Sequence, residues 1–323
     1  MVNKKPLSGL PEQTPVDGWV FIHSVRTLTA TTGKKYLSWE GLDAIGGTVK
    51  GTLFENKIHD NTLPQMNANE IWSASGIIGN GKNGLMVYAD QMIKVTTEED
   101  INEFTNLCVP TLPQEQITEY VEALEGYAKS IKDPGLNRLS ASLWTYMKPF
   151  LWTIPAAKGV HEPFRGGLAK HTYEIVKAVD IKPVWDAGLS YDVLIFSAVY
   201  HDIGKVRTYT GTMGMTHEGK LLPHSMIALE LIAAAVAVKN IVIDAKLLLH
   251  VKHCIASHHG PYGEQKPLTR EAYVLHNADM LVSRLGHFTE IMKSGSVGND
   301  GWGGNWDKVV DGYPYIPEMD NQQ

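Results

Sequence analysis

The sequence predicts a two-part molecule, a small closed β-barrel followed by an all-helical domain. Three observations carry that expectation. Over residues 17–95, short apolar and aromatic runs alternate with Gly- and Asn-rich turns. From about residue 115 to 288 nearly every segment has helical periodicity, and between these regions 96–113 reads as a linker. A chain of 323 residues has room for two or three domains, and 43% hydrophobic with 20% charged residues is an ordinary globular composition. The net charge of −6 argues against coating duplex nucleic acid by bulk electrostatics, while leaving room for a local basic groove.

Taken in order, Trp19-Val20-Phe21-Ile22 opens the β region, and Tyr36-Leu37-Ser38-Trp39 follows a Gly33-Lys34-Lys35 turn. Then come strands over 47–54 and 71–78, a turn over 79–84, and Leu85-Met86-Val87-Tyr88. About five short strands, with one longer insertion between the third and fourth, suit a barrel of the OB type. Trp19, Phe21, Tyr36, Trp39, Trp72 and Tyr88 are candidates to stack on bases, with Lys34 and Lys35 near the phosphates, although aromatics in a small barrel are more often core.

The segment 115–129 sets Ile117, Tyr120, Val121, Leu124 and Tyr127 along one face, Pro134-Gly135 interrupts it, and 136–152 resumes the helical pattern. Further helices are predicted over 167–179, 191–200, 221–239, 244–256 and 269–288. From Ser294 onward Gly, Asn and Trp dominate without any period. The expected divisions are 1–95 for the barrel, 96–135 for a linker and first helix, 136–292 for the helical domain, and 293–323 for the tail. Cys108 and Cys254 lie far apart with no CxxC spacing, which favours a reducing compartment. Met1-Val2-Asn3-Lys4-Lys5-Pro6 has no apolar core behind it, and the most apolar stretch, 228–238, is too short for a bilayer and contains Glu230. A cytoplasmic protein without membrane association is expected.

The chemistry concentrates in the helical part. The apolar run Val193-Leu194-Ile195-Phe196-Ser197-Ala198-Val199 must be buried, yet it leads into Tyr200-His201-Asp202-Ile203-Gly204-Lys205. Burying His and Asp costs free energy unless something pairs with them, and a divalent cation satisfies both. Other helical segments offer metal-capable residues near their ends: His171, His224, His258 with His259, and Asp279. Nitrogen and oxygen ligands without cysteine favour Mn, Co, Fe or Mg over structural zinc. Lys205 sets a cation beside the site, suited to an anionic substrate.

The order H…HD…H…HH…D resembles that of the HD phosphohydrolase superfamily. Lys158-Gly159-Val160-His161-Glu162-Pro163-Phe164-Arg165-Gly166-Gly167 leading to His171, Tyr209-Thr210, His217-Glu218-Gly219-Lys220-Leu221-Leu222-Pro223-His224, and Ser257-His258-His259-Gly260 with Glu271-Ala272 and Leu275-His276 are similar to motifs of the YhaM-type 3′-to-5′ exoribonucleases. The similarity covers nearly the whole chain except the Gly/Trp tail. It implies an OB barrel joined to a C-terminal HD domain, two divalent ions, and single-stranded RNA, or else DNA, as partner and substrate. His171, His201, Asp202 and Asp279 would hold one ion; His224, His258 and His259 would hold the second, with Asp202 bridging. Asp202 and Lys205 would be catalytic. Lys158, His161 and Arg165 would face the substrate phosphates, with Trp19, Phe21, Tyr36 and Trp39 binding the strand. Pro223, the loop Pro261-Tyr262-Gly263-Glu264-Gln265 and Val282 depart from the family pattern and bear on substrate preference. Two other functions stand beside this one: hydrolysis of a small nucleotide, dinucleotide or cyclic nucleotide, and a nucleic-acid binder whose helical domain only dimerises. Homo-oligomerisation is left open.

Overall fold

The structure, a computed structural model, describes residues 2–82, 84–157, 164–181, 188–212, 214–263, 265–293, 301–303 and 306–317. It divides into two compact units, Met1–Thr111 with Thr212–Gly214, and Leu112–Gly211 with Met215–Gln323. The first is a closed five-stranded barrel of the OB type, and the second is the helical bundle that the sequence predicts.

The barrel strands are β1 (Pro15–Thr29), β2 (Lys35–Leu42), β3 (Thr48–Phe54), β4 (Ile71–Gly81) and β5 (Gly84–Lys94). They close in the order β1-β2-β3-β5-β4, so every strand edge is paired. Neighbours are antiparallel except β3 and β5, which run parallel from Gly51↔Val87 to Leu53↔Ala89. Inward-facing Val20, Ile22, Leu37, Trp39, Leu53, Ala74 and Val87 fill the interior. Trp39 lies opposite Gly51, and a Cβ there would fall inside its ring, so the glycine makes room for the indole.

The expected linker folds largely as a helix, α1 (Glu98–Cys108). Ile101, Phe104, Thr105 and Cys108 recur at helical spacing, and Phe104 packs with Phe21, Leu42 and Ile71 in a second apolar cluster outside the barrel interior. Val20, Phe21 and Ile22 are therefore buried in succession: β1 is covered on both faces at this point.

The helical unit begins with α2 (Gln114–Ser130) and α3 (Pro134–Met147). Asp133 caps α3 by accepting from the Gly135 and Leu136 amides, with Pro134 in the first turn where its missing N–H is not needed. Next come α4 (Gly167–Val179), α5 (Tyr191–Tyr200), and short α6 (Lys205–Thr208) and α7 (His217–Leu221). The unit continues with α8 (His224–Val238), α9 (Ala245–Ser257) and α10 (Arg270–Lys293). Helix α5 is the centre: every residue from Val193 to Tyr200 is buried, as expected of a helix that is apolar all round. Among the described residues, no helix is long and apolar enough to cross a membrane.

Candidate metal centre

Four helices, α4, α8, α9 and α10, bring metal-capable side chains, α8 and α9 from their ends and α10 from its middle, to the buried C-terminus of α5. His201 caps that helix, and Asp202 follows in the turn to α6. Gly204 has ordinary helical φ, so its role is space: a Cβ would collide with the His224 carbonyl oxygen and crowd the Ala228 amide. Its absence lets the turn approach the start of α8, where Pro223 precedes His224. Helix α4 contributes His171, α10 contributes Asp279, and α9 ends just before His258 and His259. His171, His201, Asp202, His258 and Asp279 are all buried.

Asp202 stands between two ligand groups. Its Oδ2 lies 3.4 Å from His171 Nε2 and 3.2 Å from His201 Nε2. Its Oδ1 lies 3.2 Å from His224 Nε2 and 3.8 Å from His258 Nε2. His171 Nε2 is also 3.3 Å from Asp279 Oδ1, and His259 Nδ1 is 3.6 Å from Asp279 Oδ2. Single ligand atoms of His171, His201 and Asp279 lie within 4.8 Å of one another, and the same holds for His224, His258 and His259.

The fit to a cation can be read from the hydrogen bonds. His201 Nδ1 donates to the Ala198 carbonyl at 2.9 Å, and His258 Nδ1 donates to the Ile255 carbonyl at 2.6 Å. A carbonyl only accepts, so the proton of each neutral ring sits on Nδ1 and a lone pair is left on Nε2. Those lone pairs point toward the carboxylate oxygens of Asp202. His201 Nε2 and Asp202 Oδ1 are buried and make no hydrogen bond of proper geometry. Electron-rich atoms facing one another in a dry interior are unfavourable without positive charge between them.

The electrostatics agree. Burial pushes the Asp202 carboxyl up, but the Lys205 ammonium beside it outweighs this and holds the group well below the usual carboxylate range. Burial likewise opposes ionisation of Asp279, and hydrogen bonds from His171 and His259 overcome it. Burial lowers His224 and, with the neighbouring His259 and His201, drives His258 far down. Ionised carboxylates and neutral imidazoles are the forms that bind metal. Lys205 is 5% exposed and donates to Asp202 Oδ2 at 2.6 Å. Burial alone would lower its pKa; the Asp202 pairing raises it. It thus holds Asp202 rather than reaching out from the surface.

Lys158 and His161 fall outside the described residues. Arg165 Nε donates to the Gly211 carbonyl at 2.7 Å. On the barrel, Trp19 meets Phe104 edge-on at 5.7 Å and Phe21 is 1% exposed, so α1 claims both rings and neither lines the barrel groove. That groove, of about 620 Å³, is lined by Tyr36, Trp39, Phe54 and Tyr88 together with Arg26, Lys50 and Lys82. Tyr36 and Phe54 stack at 4.9 Å with 24° between their planes. Phe54, Arg26 and Lys50 were not singled out from sequence; the cross-strand register Tyr36↔Phe54 would have found the first. His250 and His253 have local partners, Thr269 Oγ1 and the Leu268 amide.

Residues 168–283 match the family model of the HD domain, a span that contains every ligand named above and marks the helical unit as a metal-dependent hydrolase. Among solved structures, the chain is similar to the second OB-fold domain of replication protein A from Methanococcus maripaludis. That likeness is at 15% identity over 29% of this chain and 96% of that one, with a TM-score of 0.23.

Proposed function

We propose that the chain is a metal-dependent phosphodiesterase that degrades single-stranded RNA, or else DNA, from the 3′ end to nucleoside 5′-monophosphates. The observation that carries this reading is Asp202, set with one oxygen toward each of two histidine groups and with no hydrogen bond on Oδ1. His171, His201, Asp279 and Asp202 Oδ2 would hold one divalent ion; His224, His258, His259 and Asp202 Oδ1 would hold the other. When bound, such a pair supplies Lewis acidity and water ionised near neutral pH for attack at phosphorus.

The chain's own part is preorganisation. Backbone carbonyls fix the His201 and His258 rings before any substrate arrives, so no reorientation is needed at the moment of reaction. Two carboxylates against one ammonium leave this ligand set with a single net negative charge, so loading with dications turns it positive toward an anionic phosphodiester. In the barrel, the Tyr36–Phe54 pair beside Arg26, Lys50 and Lys82 supports binding of a single strand by stacking and charge.

A 5′-labelled oligoribonucleotide incubated with the purified protein and Mn²⁺ tests this. A ladder shortening from the 3′ end, mononucleotide product by chromatography, and loss of both with chelator are expected. An intact oligomer in Mn²⁺, Co²⁺, Fe²⁺ and Mg²⁺ would overturn it. Cleavage of a cyclic dinucleotide without cleavage of the oligomer would transfer the site to small-nucleotide hydrolysis.

A further inference from the structure

His258 and His259 are neighbours, and on a continuing helix their side chains would diverge by about 100°. In the folded chain they do not: the ring centroids lie 3.9 Å apart, and both rings reach His224, at 3.4 Å from His258 Nε2 and 3.0 Å from His259 Nε2. The helix ends at Ser257, and the backbone then turns through Gly260 in the left-handed region at φ +56°. Against that turn lies His276, one turn before Asp279 on α10. Its Nδ1 donates to the His258 carbonyl at 2.8 Å. Its ring covers Gly260 so closely that a Cβ there would come within 2.5 Å of His276 Cε1.

We infer that His276 is a positioning residue: by clamping the His258 carbonyl and the Gly260 turn, it makes both adjacent histidines available to one ion. The inference rests on the two-ion reading above and extends it, assigning the integrity of the second ligand group to a side chain that belongs to neither group. The physical reason is economy of constraint. A carbonyl at a helix end has no intrahelical partner and is free to rotate; a ring that both donates a hydrogen bond to it and packs on the turn removes that freedom. Because His276 and Asp279 share a face of α10, the same helix sets the turn and the first ligand group in register.

Calorimetric titration of Mn²⁺ into the metal-free full chain tests this apart from turnover. The wild-type chain takes two ions. His276→Leu keeps the ion of His171, His201 and Asp279, which serves as the control for folding, and binds the other about 10–100-fold more weakly. His276→Asn places an amide donor where Nδ1 was and recovers most of that loss. The exchange-coupled Mn²⁺ pair signal in electron paramagnetic resonance disappears in the Leu variant and returns in the Asn variant. Unchanged binding of both ions in His276→Leu overturns the inference, as does loss of both together. The clamp is also read without metal. In the ring ¹⁵N spectrum at fixed pH, His276→Leu moves the His258 and His259 resonances and leaves those of His171 and His201 in place. If the wild-type chain binds no ion but these shifts occur, the two-ion reading fails while the clamp stands; if neither ring resonance moves, the clamp fails.

Discussion

Each unit of this molecule buries carboxylate, and the two do so in opposite ways. In the barrel, Asp43 is fully buried and accepts five hydrogen bonds: from the Leu7 and Ser8 amides and Ser8 Oγ on Oδ2, and from the Ile45 and Gly47 amides on Oδ1. Burial pushes its pKa up, but the Ser8 hydroxyl and the Ser8, Leu7 and Gly47 amides hold it below the ordinary range. In the helical unit, Asp202 is equally buried, yet its neighbours other than Lys205 are imidazole rings, two of which turn lone pairs toward it. A carboxylate surrounded by N–H and O–H donors is finished as it stands and belongs to the fold. One surrounded by other electron donors is complete only with a cation.

The largest effect that would break this contrast is on chemistry. Asp202→Ala should lower turnover on the order of 10³-fold and abolish two-ion binding, measured by steady-state hydrolysis and metal titration. Alone it strands the buried Lys205 ammonium, at about 3–5 kcal/mol. The double variant Asp202→Ala/Lys205→Met removes the pair and should melt no lower than the metal-free parent; a clear drop would show that Asp202 is structural in the way Asp43 is. Next in size, Asp43→Ala should cost about 3 kcal/mol in urea unfolding, because buried amides lose their acceptor, with metal stoichiometry unchanged. Its pH dependence has a definite sign. The folded pKa is depressed, so the contribution of Asp43 is complete above the ordinary value of about 3.9. It is lost as pH falls through the lower folded value, and there the parent and Asp43→Asn should converge. The smallest effect sharpens the division of labour: Tyr36→Ala should weaken oligonucleotide binding about 10-fold while leaving hydrolysis of a small chromogenic phosphodiester unchanged.

Parts of this picture were legible residue by residue. The run from Val193 to Val199 could only be buried, and a buried segment leading to His201-Asp202 signalled a cation before any coordinates. The barrel was visible in its spacing of turns and aromatics, but its working face was not. Trp19 and Phe21 were candidates to stack on bases, but their side of β1 is closed by α1, whose apolar repeat of Ile101, Phe104 and Cys108 lay inside the expected linker. Tyr36 found its stacking partner only once β2 was paired with β3. His276 was visible as part of the Leu275-His276 motif, but its role was not, since its partner is a backbone carbonyl, and main-chain groups are the same at every position of the sequence.

What the sequence alone determined is the chemistry available: which side chains can bind a cation, and that several must be buried, because side-chain type and apolar periodicity are local properties. Which of them meet was decided by the tertiary structure. Convergence depends on where helices end and how closely backbones approach, as at Gly204 against His224 and Gly260 against His276. Those are distances between segments remote in the chain, set by packing that no local pattern encodes.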